Sequence, residues 1–461
     1  MQRSLKLDTM TFILHNERKI MSVFKAYDVR GVYGKGLDEE LAYKVGNFLP
    51  QLLNSDHVMI GRDARTSSPS LFEAMCKGVT DRGCDVWDIG LCTTPTIYFA
   101  APKLNAKASV MITASHNPPE YNGFKISKEF AKPVGKETGL PELEQLCKNE
   151  PVISTNKGKI ISLDIRNDYL TFTQQWMKPL NGLKVVFDSS NGMEGLNLKD
   201  TFENSGADCT YINLDVDCTF PNHEANPLVI ENVHQLMKKV TEIGADVGVM
   251  FDGDSDRAVF VNEKGEYVFP DLIIGLMARD LMKNRKGTVI YDIRSSRSVI
   301  EEIERLGGTP RICKVGHSYA KALLRETDGI FGGELAGHYY FNENNYCDSA
   351  IIATLVVLGV LANSDQTLSE IIAEISKYEY SGEINFKAEN KDELIDLIQS
   401  NFPGGKSSDL DGIRVDFEDW WFNVRKSNTE PYLRLVCEAK NKTLLDEKVS
   451  SISNIIEANR T

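Results

Sequence analysis

Seven short apolar, β-branched runs recur along the chain, separated by segments with helical apolar spacing. The runs are HVMIG (57–61), CDVWDIG (84–90), SVMITAS (109–115), KVVFDSS (184–190), DVGVMFDGD (246–254), GTVIYDI (287–293) and DGIFGGE (328–334). Between them, stretches such as 70–82 and 232–243 place apolar residues three and four apart. A parallel strand pair needs a crossover long enough to hold a helix, so this alternation predicts βαβ units and an α/β fold with mixed, mainly parallel sheets. After about residue 366 the pattern changes. KDELIDLIQSNF reads as a helix, GIRVDF, WWFNV and YLRLVCEA as strands, and LLDEKVSSISNIIEAN as a closing helix, which makes an α+β module. Polar or turn-forming seams near 149–158, 262–265 and 363–366 divide the chain into units 22–155, 156–263, 264–366 and 367–461. Residues 1–21 are read as a disordered extension, with Met21 an alternative start.

A chain of 461 residues has ample core for several such units. Its net charge of -14 argues against nucleic acid and anionic membrane as partners. If the substrate is an anion, basic residues must then be concentrated locally against the general field. The nine cysteines are scattered, odd in number and without a CxxC pair, as suits a reducing cytoplasm. The most apolar stretch, IIATLVVLGVLA (351–362), falls short of the roughly 20 residues a membrane span needs, so it reads as a core helix.

Four strand-end loops carry chemistry-bearing residues. In TASHNPPEYNGFK (113–125) the strand stops at Ser115, because Asn117–Pro118–Pro119 cannot continue it. The Ser115 hydroxyl is thus presented where open α/β sheets bind ligands. In DGDSDR (252–257) Asp252, Asp254 and Asp256 alternate with Gly253 and Ser255, so a turn can converge three carboxylates. Their repulsion calls for a divalent cation, and all-oxygen ligands favour Mg²⁺ or Ca²⁺ over zinc. The spacing also resembles the opening of an EF-hand loop, but strand-like AVFVN precedes Glu263 at the twelfth position. In GGELAGH (332–338) paired glycines allow close backbone approach, while Glu334 offers an acceptor and His338 a tunable donor for hydroxyl groups. In RKSNTEP (425–431) Arg425, Ser427, Asn428 and Thr429 can donate to an oxyanion.

These loops, in this order, resemble those of the α-D-phosphohexomutases, closest to the bacterial phosphomannomutase/phosphoglucomutase branch. FKAYDVRGVYG (24–34), GRDAR (61–65), KVGHS (314–318), CDS (347–349) and YLRL (432–435) extend the resemblance over the whole chain from Phe24. It implies four domains in a heart shape around a central cleft, one loop from each. It also implies a phosphoserine at Ser115, with Mg²⁺ held by Asp252, Asp254, Asp256 and a phosphoserine oxygen. The implied reaction moves phosphate between O1 and O6 of a hexose through a bound hexose 1,6-bisphosphate that turns round without leaving. Matched by motif, Arg257 and Lys125 stabilise charge or shuttle the hydroxyl proton, and His317 is a candidate acid/base. Tyr27 and Arg30 line the first-domain approach, and His116 supports the loop. Arg294 contacts substrate from the third domain, Glu334 and His338 hold O3 and O4, and Arg425, Ser427, Asn428 and Thr429 grip the non-transferring phosphate.

Ala336 stands where many relatives have Ser, and Arg294 where many have Lys. Both bear on sugar preference rather than phosphoryl transfer. The expected substrate is a hexose phosphate of mannose and also of glucose, acted on by a monomer or weak homodimer. The alternatives are a mutase for glucosamine or another hexose phosphate, and a non-catalytic sugar-phosphate binder.

Overall fold

The computed structural model describes residues 23–427 and 432–461. Four sheets account for its strands, and each of the first three is mixed: parallel over one half, antiparallel over the other. In the first, Ala108–Ile112, His57–Arg62, Asp85–Leu91 and Ile160–Ser162 run parallel in that spatial order. Tyr121–Lys128 returns antiparallel beside Ala108–Ile112, and Val29–Val32 lies outside it. In the second, Val247–Phe251 pairs parallel with Lys184–Asp188 and antiparallel with Ala258–Asn262. In the third, Phe331–Gly333 pairs parallel with Thr288–Asp292 and antiparallel with Tyr339–Phe341. The fourth sheet is antiparallel throughout, with Trp420–Lys426 against Tyr432–Ala439 near its centre.

This arrangement explains where the four loops fall. Each joins a strand to its antiparallel neighbour, so each is a hairpin connection at one end of its sheet. The strands entering the first two, Ala108–Ile112 and Val247–Phe251, are buried along their whole length. Side chains covered on both faces favour continuous Ala, Val, Met and Ile over an alternating pattern.

The helix Ala350–Ala362 is apolar on every side because it lies inside the molecule, in a core that runs continuously through the second and third units. The first and fourth units have cores of their own. Among the described residues no helix is long and apolar enough to cross a membrane.

Three boundaries differ from the sequence reading. Ile160–Ser162 pairs with Asp85–Leu91 and so completes the first sheet. Tyr267–Val268 completes the second, and the helix Leu368–Ile375 packs into the core shared by the second and third units. Strands of two or three residues carry too little periodicity to read, and the polar turns taken as seams lie just before them. The four-residue stretch 428–431 and the segment 1–22 lie outside the described residues, and with them Asn428, Thr429 and the extension.

Candidate active site

Ser115 sits in the left-handed backbone region, at φ 52°, which a side chain larger than glycine occupies only when its surroundings fix it. Arg65 supplies that fixing. Its buried guanidinium donates to the carbonyls of Ser115 at 2.8 Å, Asn117 at 2.7 Å, Pro118 at 2.7 Å and Tyr121 at 3.0 Å, and Nε reaches Asp63. One side chain thus ties the whole turn between strand and return strand. The Ser115 N–H adds a bond to Thr113 Oγ1 at 2.9 Å. The result aims the hydroxyl out of its own domain: Ser115 Oγ donates to Asp252 Oδ2 at 2.7 Å. His116 Nδ1 lies 3.3 Å from the same oxygen.

The approach of the two loops depends on Gly253. A Cβ there would come within 2.4 Å of the Ser115 carbonyl oxygen, inside any tolerable contact. Asp252, Asp254 and Asp256 are buried, with one oxygen of each within 4.8 Å of the others. Lys125, on the return strand after the serine loop, places Nζ 2.6 Å from Asp254 Oδ2 and also contacts Asp256. Thr94 opens the Thr94–Lys103 helix and donates Oγ1 to Asp254 Oδ2, while its N–H bonds the Asp254 carbonyl at 2.9 Å. Even so, Asp254 Oδ1 and Asp256 Oδ1 remain buried without a hydrogen bond. Burial, compounded by Asp256 and Asp254, pushes the Asp252 carboxyl well above the usual range. Orphaned hard oxygens and surplus negative charge fit a divalent, oxygen-preferring cation.

A second acidic group, Asp256, Asp348 and His338, is also close enough for a metal. Protein cations already serve it. Asp348 Oδ1 lies 2.6 Å from Lys321 Nζ, both residues wholly buried, and the ammonium stacks 3.7 Å from the Tyr98 ring centre. Asp348 Oδ2 lies 2.8 Å from His338 Nδ1, and Arg257 Nε donates to His338 Nε2 at 2.9 Å. His338 Nε2 is therefore an acceptor here, and the ring proton is left to Nδ1. The sequence reading had His338 as a tunable donor. Here Nε2 accepts from Arg257, and Nδ1 faces the Asp348 carboxylate.

Arg257 and His338 also form an isolated β-bridge, and the Ala258 N–H bonds the Gly337 carbonyl at 3.0 Å. The acidic loop and the glycine loop are thus stitched directly, as their shared core suggests. Glu334 Oε1 accepts from the Tyr340 hydroxyl at 2.7 Å, and Oε2 accepts from the Gly316 N–H at 3.3 Å. Burial raises its carboxyl pKa. Tyr27 donates its hydroxyl to the Val315 carbonyl at 2.9 Å and meets the rings of His317 and Tyr319 edge-on. Arg30 contacts Asp28 and donates to Asn117 Oδ1 at 2.9 Å, joining the Val29–Val32 strand to the serine turn. His317 heads the His317–Glu326 helix with its Nδ1 buried and without a hydrogen bond, 6.1 Å ring to ring from His338. Burial, with Lys321 beside it, holds His317 well below the ordinary histidine range, and burial with Arg257 and Arg30 does the same for His116.

Across the site the charge reverses. Glu383 accepts from Arg425 Nη2 at 3.0 Å, Arg294 Nη1 at 3.2 Å and Arg434 Nη1 at 2.7 Å. Burial alone would raise its carboxyl, but Arg294, Arg425 and Arg434 overcome that and hold it down to about 2. Arg294 has a second carboxylate, Asp292, at 2.7 Å. Ser427 closes the fourth hairpin through its N–H to the Tyr432 carbonyl at 2.9 Å. Arg65, Thr94, Lys321, Asp348, Glu383 and Arg434 were given no role from sequence. GRDAR, CDS and YLRL pointed to three of them, Arg65, Asp348 and Arg434, only as matched motifs.

Comparison with known proteins adds the family. Models described as phosphoglucomutase/phosphomannomutase alpha/beta/alpha domains I, II and III match residues 21–151, 167–265 and 269–378, and the model of the C-terminal domain matches 383–454. The chain is similar to a phosphomannomutase of Escherichia coli K12, 36% identical over 443 residues that cover 93% of this chain and 97% of that protein. It is 33% identical to a phosphomannomutase of Methanocaldococcus jannaschii over 95% of this chain and 98% of the relative. Among solved structures, a phosphoglucomutase/phosphomannomutase family protein of Burkholderia thailandensis superposes with a TM-score of 0.86 at 30% identity, covering 95% of this chain and 97% of that one.

Proposed function

This chain belongs to the phosphoglucomutase/phosphomannomutase family and is a phosphohexomutase, and from that premise we propose which of its residues carry the reaction. The supporting observation is the 2.7 Å contact between the Ser115 hydroxyl, from the first domain, and Asp252, from the second. It puts a nucleophile-sized hydroxyl at the edge of a surplus of negative charge. That makes sense if the serine carries a phosphoryl group and the carboxylates hold its counter-ion.

In this reading Asp252, Asp254 and Asp256 hold Mg²⁺, which when bound withdraws charge from the phosphoryl group and from the leaving Ser115 oxygen. The bond between phosphorus and Ser115 Oγ breaks as phosphorus bonds the free sugar hydroxyl, giving the 1,6-bisphosphate. His317 takes the hydroxyl proton. Its buried, unpartnered Nδ1 and its suppressed pKa leave it neutral and able to accept. Lys125, held between carboxylates, stays a cation and stabilises charge. The bisphosphate then turns and returns its other phosphate to Ser115. Arg425, Ser427 and the loop that follows grip the phosphate that is not being transferred, and Arg30 and Tyr27 line the approach from the first domain.

The sugar must fit in both orientations. A half-turn of the ring roughly exchanges O3 and O4, and Glu334 with His338 are the partners for them. Glu334 accepts, and so does His338 Nε2 once Arg257 turns to phosphate. Neither reads C2, where mannose and glucose differ. Mannose 1-phosphate and glucose 1-phosphate should therefore both serve, with kcat/KM within about 100-fold. Nine free thiols fit a reducing compartment such as the cytoplasm.

Intact-mass measurement tests the scheme. The protein as isolated should carry one phosphate, on Ser115, which hexose 1-phosphate discharges. Turnover by a protein that never carries phosphate on Ser115 would refute it.

A further inference from the structure

Glu383 occupies an unusual place. It lies on the Glu379–Lys387 strand of the fourth domain, and its two oxygens receive three guanidinium groups from two domains: Arg425 and Arg434 of its own, and Arg294 of the third. Arg294 is balanced already by Asp292. Arg425 and Arg434 both lean on the carboxylate of Glu383. Arg425 is only 3% exposed, and its Nε is buried without a hydrogen bond. A guanidinium in such a place is costly to leave without an anion.

A carboxylate and a phosphate present arginine with the same pattern of paired oxygens. Phosphate must nevertheless leave these arginines in the middle of every catalytic cycle, because the bisphosphate has to turn round while it stays bound. If the arginines had no substitute anion, departure would strand buried cations and the turn would be slow. We propose that Glu383 is the exchange anion of the phosphate subsite: it receives Arg425 and Arg434 whenever phosphate leaves them, and so keeps the bisphosphate free to reorient. The inference rests on the reading that Arg425 grips the non-transferring phosphate.

The exchange role makes a prediction opposite in sign to that of a scaffold. Glu383→Gln removes the competing charge and keeps the shape. Inorganic phosphate, titrated calorimetrically into the full-length protein, should bind about tenfold more tightly. KM for hexose 1-phosphate and kcat should both fall, as reorientation becomes the slow step. Glu383→Asp keeps the charge and should hold phosphate affinity within about threefold of the parent protein, which separates charge from packing. Phosphate binding that is weaker or unchanged in Glu383→Gln, or a KM that rises, overturns the proposal. Arg425→Ala distinguishes the two levels. If it leaves phosphate affinity unchanged, the subsite reading fails and the exchange role with it. If it weakens phosphate while Glu383→Gln weakens it too, the subsite stands and only the exchange role is lost.

Discussion

One part of the site gathers three carboxylates with the ammonium of Lys125, and another gathers three guanidiniums on the carboxylate of Glu383. Asp254 and Asp256 share Lys125 while Asp252 lies 3.9 Å from Arg257, and Arg294, Arg425 and Arg434 share Glu383. The first is an anionic pole and the second a cationic one. Each also holds residues of the other sign, Lys125 and Arg257 at the first and Glu383 and Asp292 at the second. The poles differ in how they are fixed. The anionic pole is set by backbone: left-handed Ser115, the close passage over Gly253, and Arg65 clasping four carbonyls. The cationic pole is set by long side chains reaching from neighbouring strands and from another domain. Chemistry that tolerates little displacement belongs at the first, and binding that must be made and broken belongs at the second.

The largest effects should therefore come from the anionic pole. Ser115→Ala keeps Cβ and the Arg65 bonds to the turn, so the fold should persist. Mutase activity should fall by at least about 10³-fold, because the covalent relay has no acceptor. Near-normal turnover, assayed with trace bisphosphosugar present, would end the phosphoserine reading. Asp254→Asn exchanges one anionic oxygen ligand for a neutral one. It should raise the Mg²⁺ concentration for half-maximal activity about tenfold or more. Protein stripped with EDTA that works at full rate would contradict it.

At the cationic pole Arg425→Ala should cost less. KM should rise by about 10- to 100-fold, with a smaller loss in kcat from poorer alignment, as steady-state kinetics would show. An effect on kcat as large as that of Ser115→Ala would show the two poles to be less separable than their construction suggests.

This division also explains what could be read in the sequence. The backbone-determined pole was legible. A strand run, a stop at Asn117–Pro118–Pro119 and alternating aspartates around Gly253 are local signals, and each survives in the structure as a loop at a strand end. The side-chain-determined pole was legible only in part, through Arg294 and Arg425. Arg425 meets a carboxylate 42 residues earlier in the chain, and Arg294 meets the same one 89 residues away, so no local pattern marks Glu383. Lys321 behind His338 escaped for the same reason, and Asp348 was visible only as a letter of CDS. Arg65 was visible as a motif letter, but its task requires four carbonyls brought together by the turn.

A final, smaller effect sharpens the contrast from behind the anionic pole. Glu194 is wholly buried beside the Asp252–Asp256 loop, with neither carboxyl oxygen hydrogen-bonded, and Ser255 of that loop is the one neighbour that favours its charged form. Burial pushes its carboxyl up to about 8 from the ordinary 4.5. The unfolded chain therefore gives up this proton near pH 4.5, while the folded protein keeps it until about pH 8. Between those values the folded state binds more protons, so this group's contribution to stability falls as pH rises, then levels off above pH 8. Glu194→Gln has nothing to ionise and should lose that slope. Thermal melts at pH 5 should nearly coincide for the two proteins, and near pH 8.5 the variant should melt a few degrees higher. Curves that run parallel across this range would mean that a cation or hydrogen bond compensates Glu194 after all. The anionic pole would then be better balanced than the cationic one, reversing the comparison.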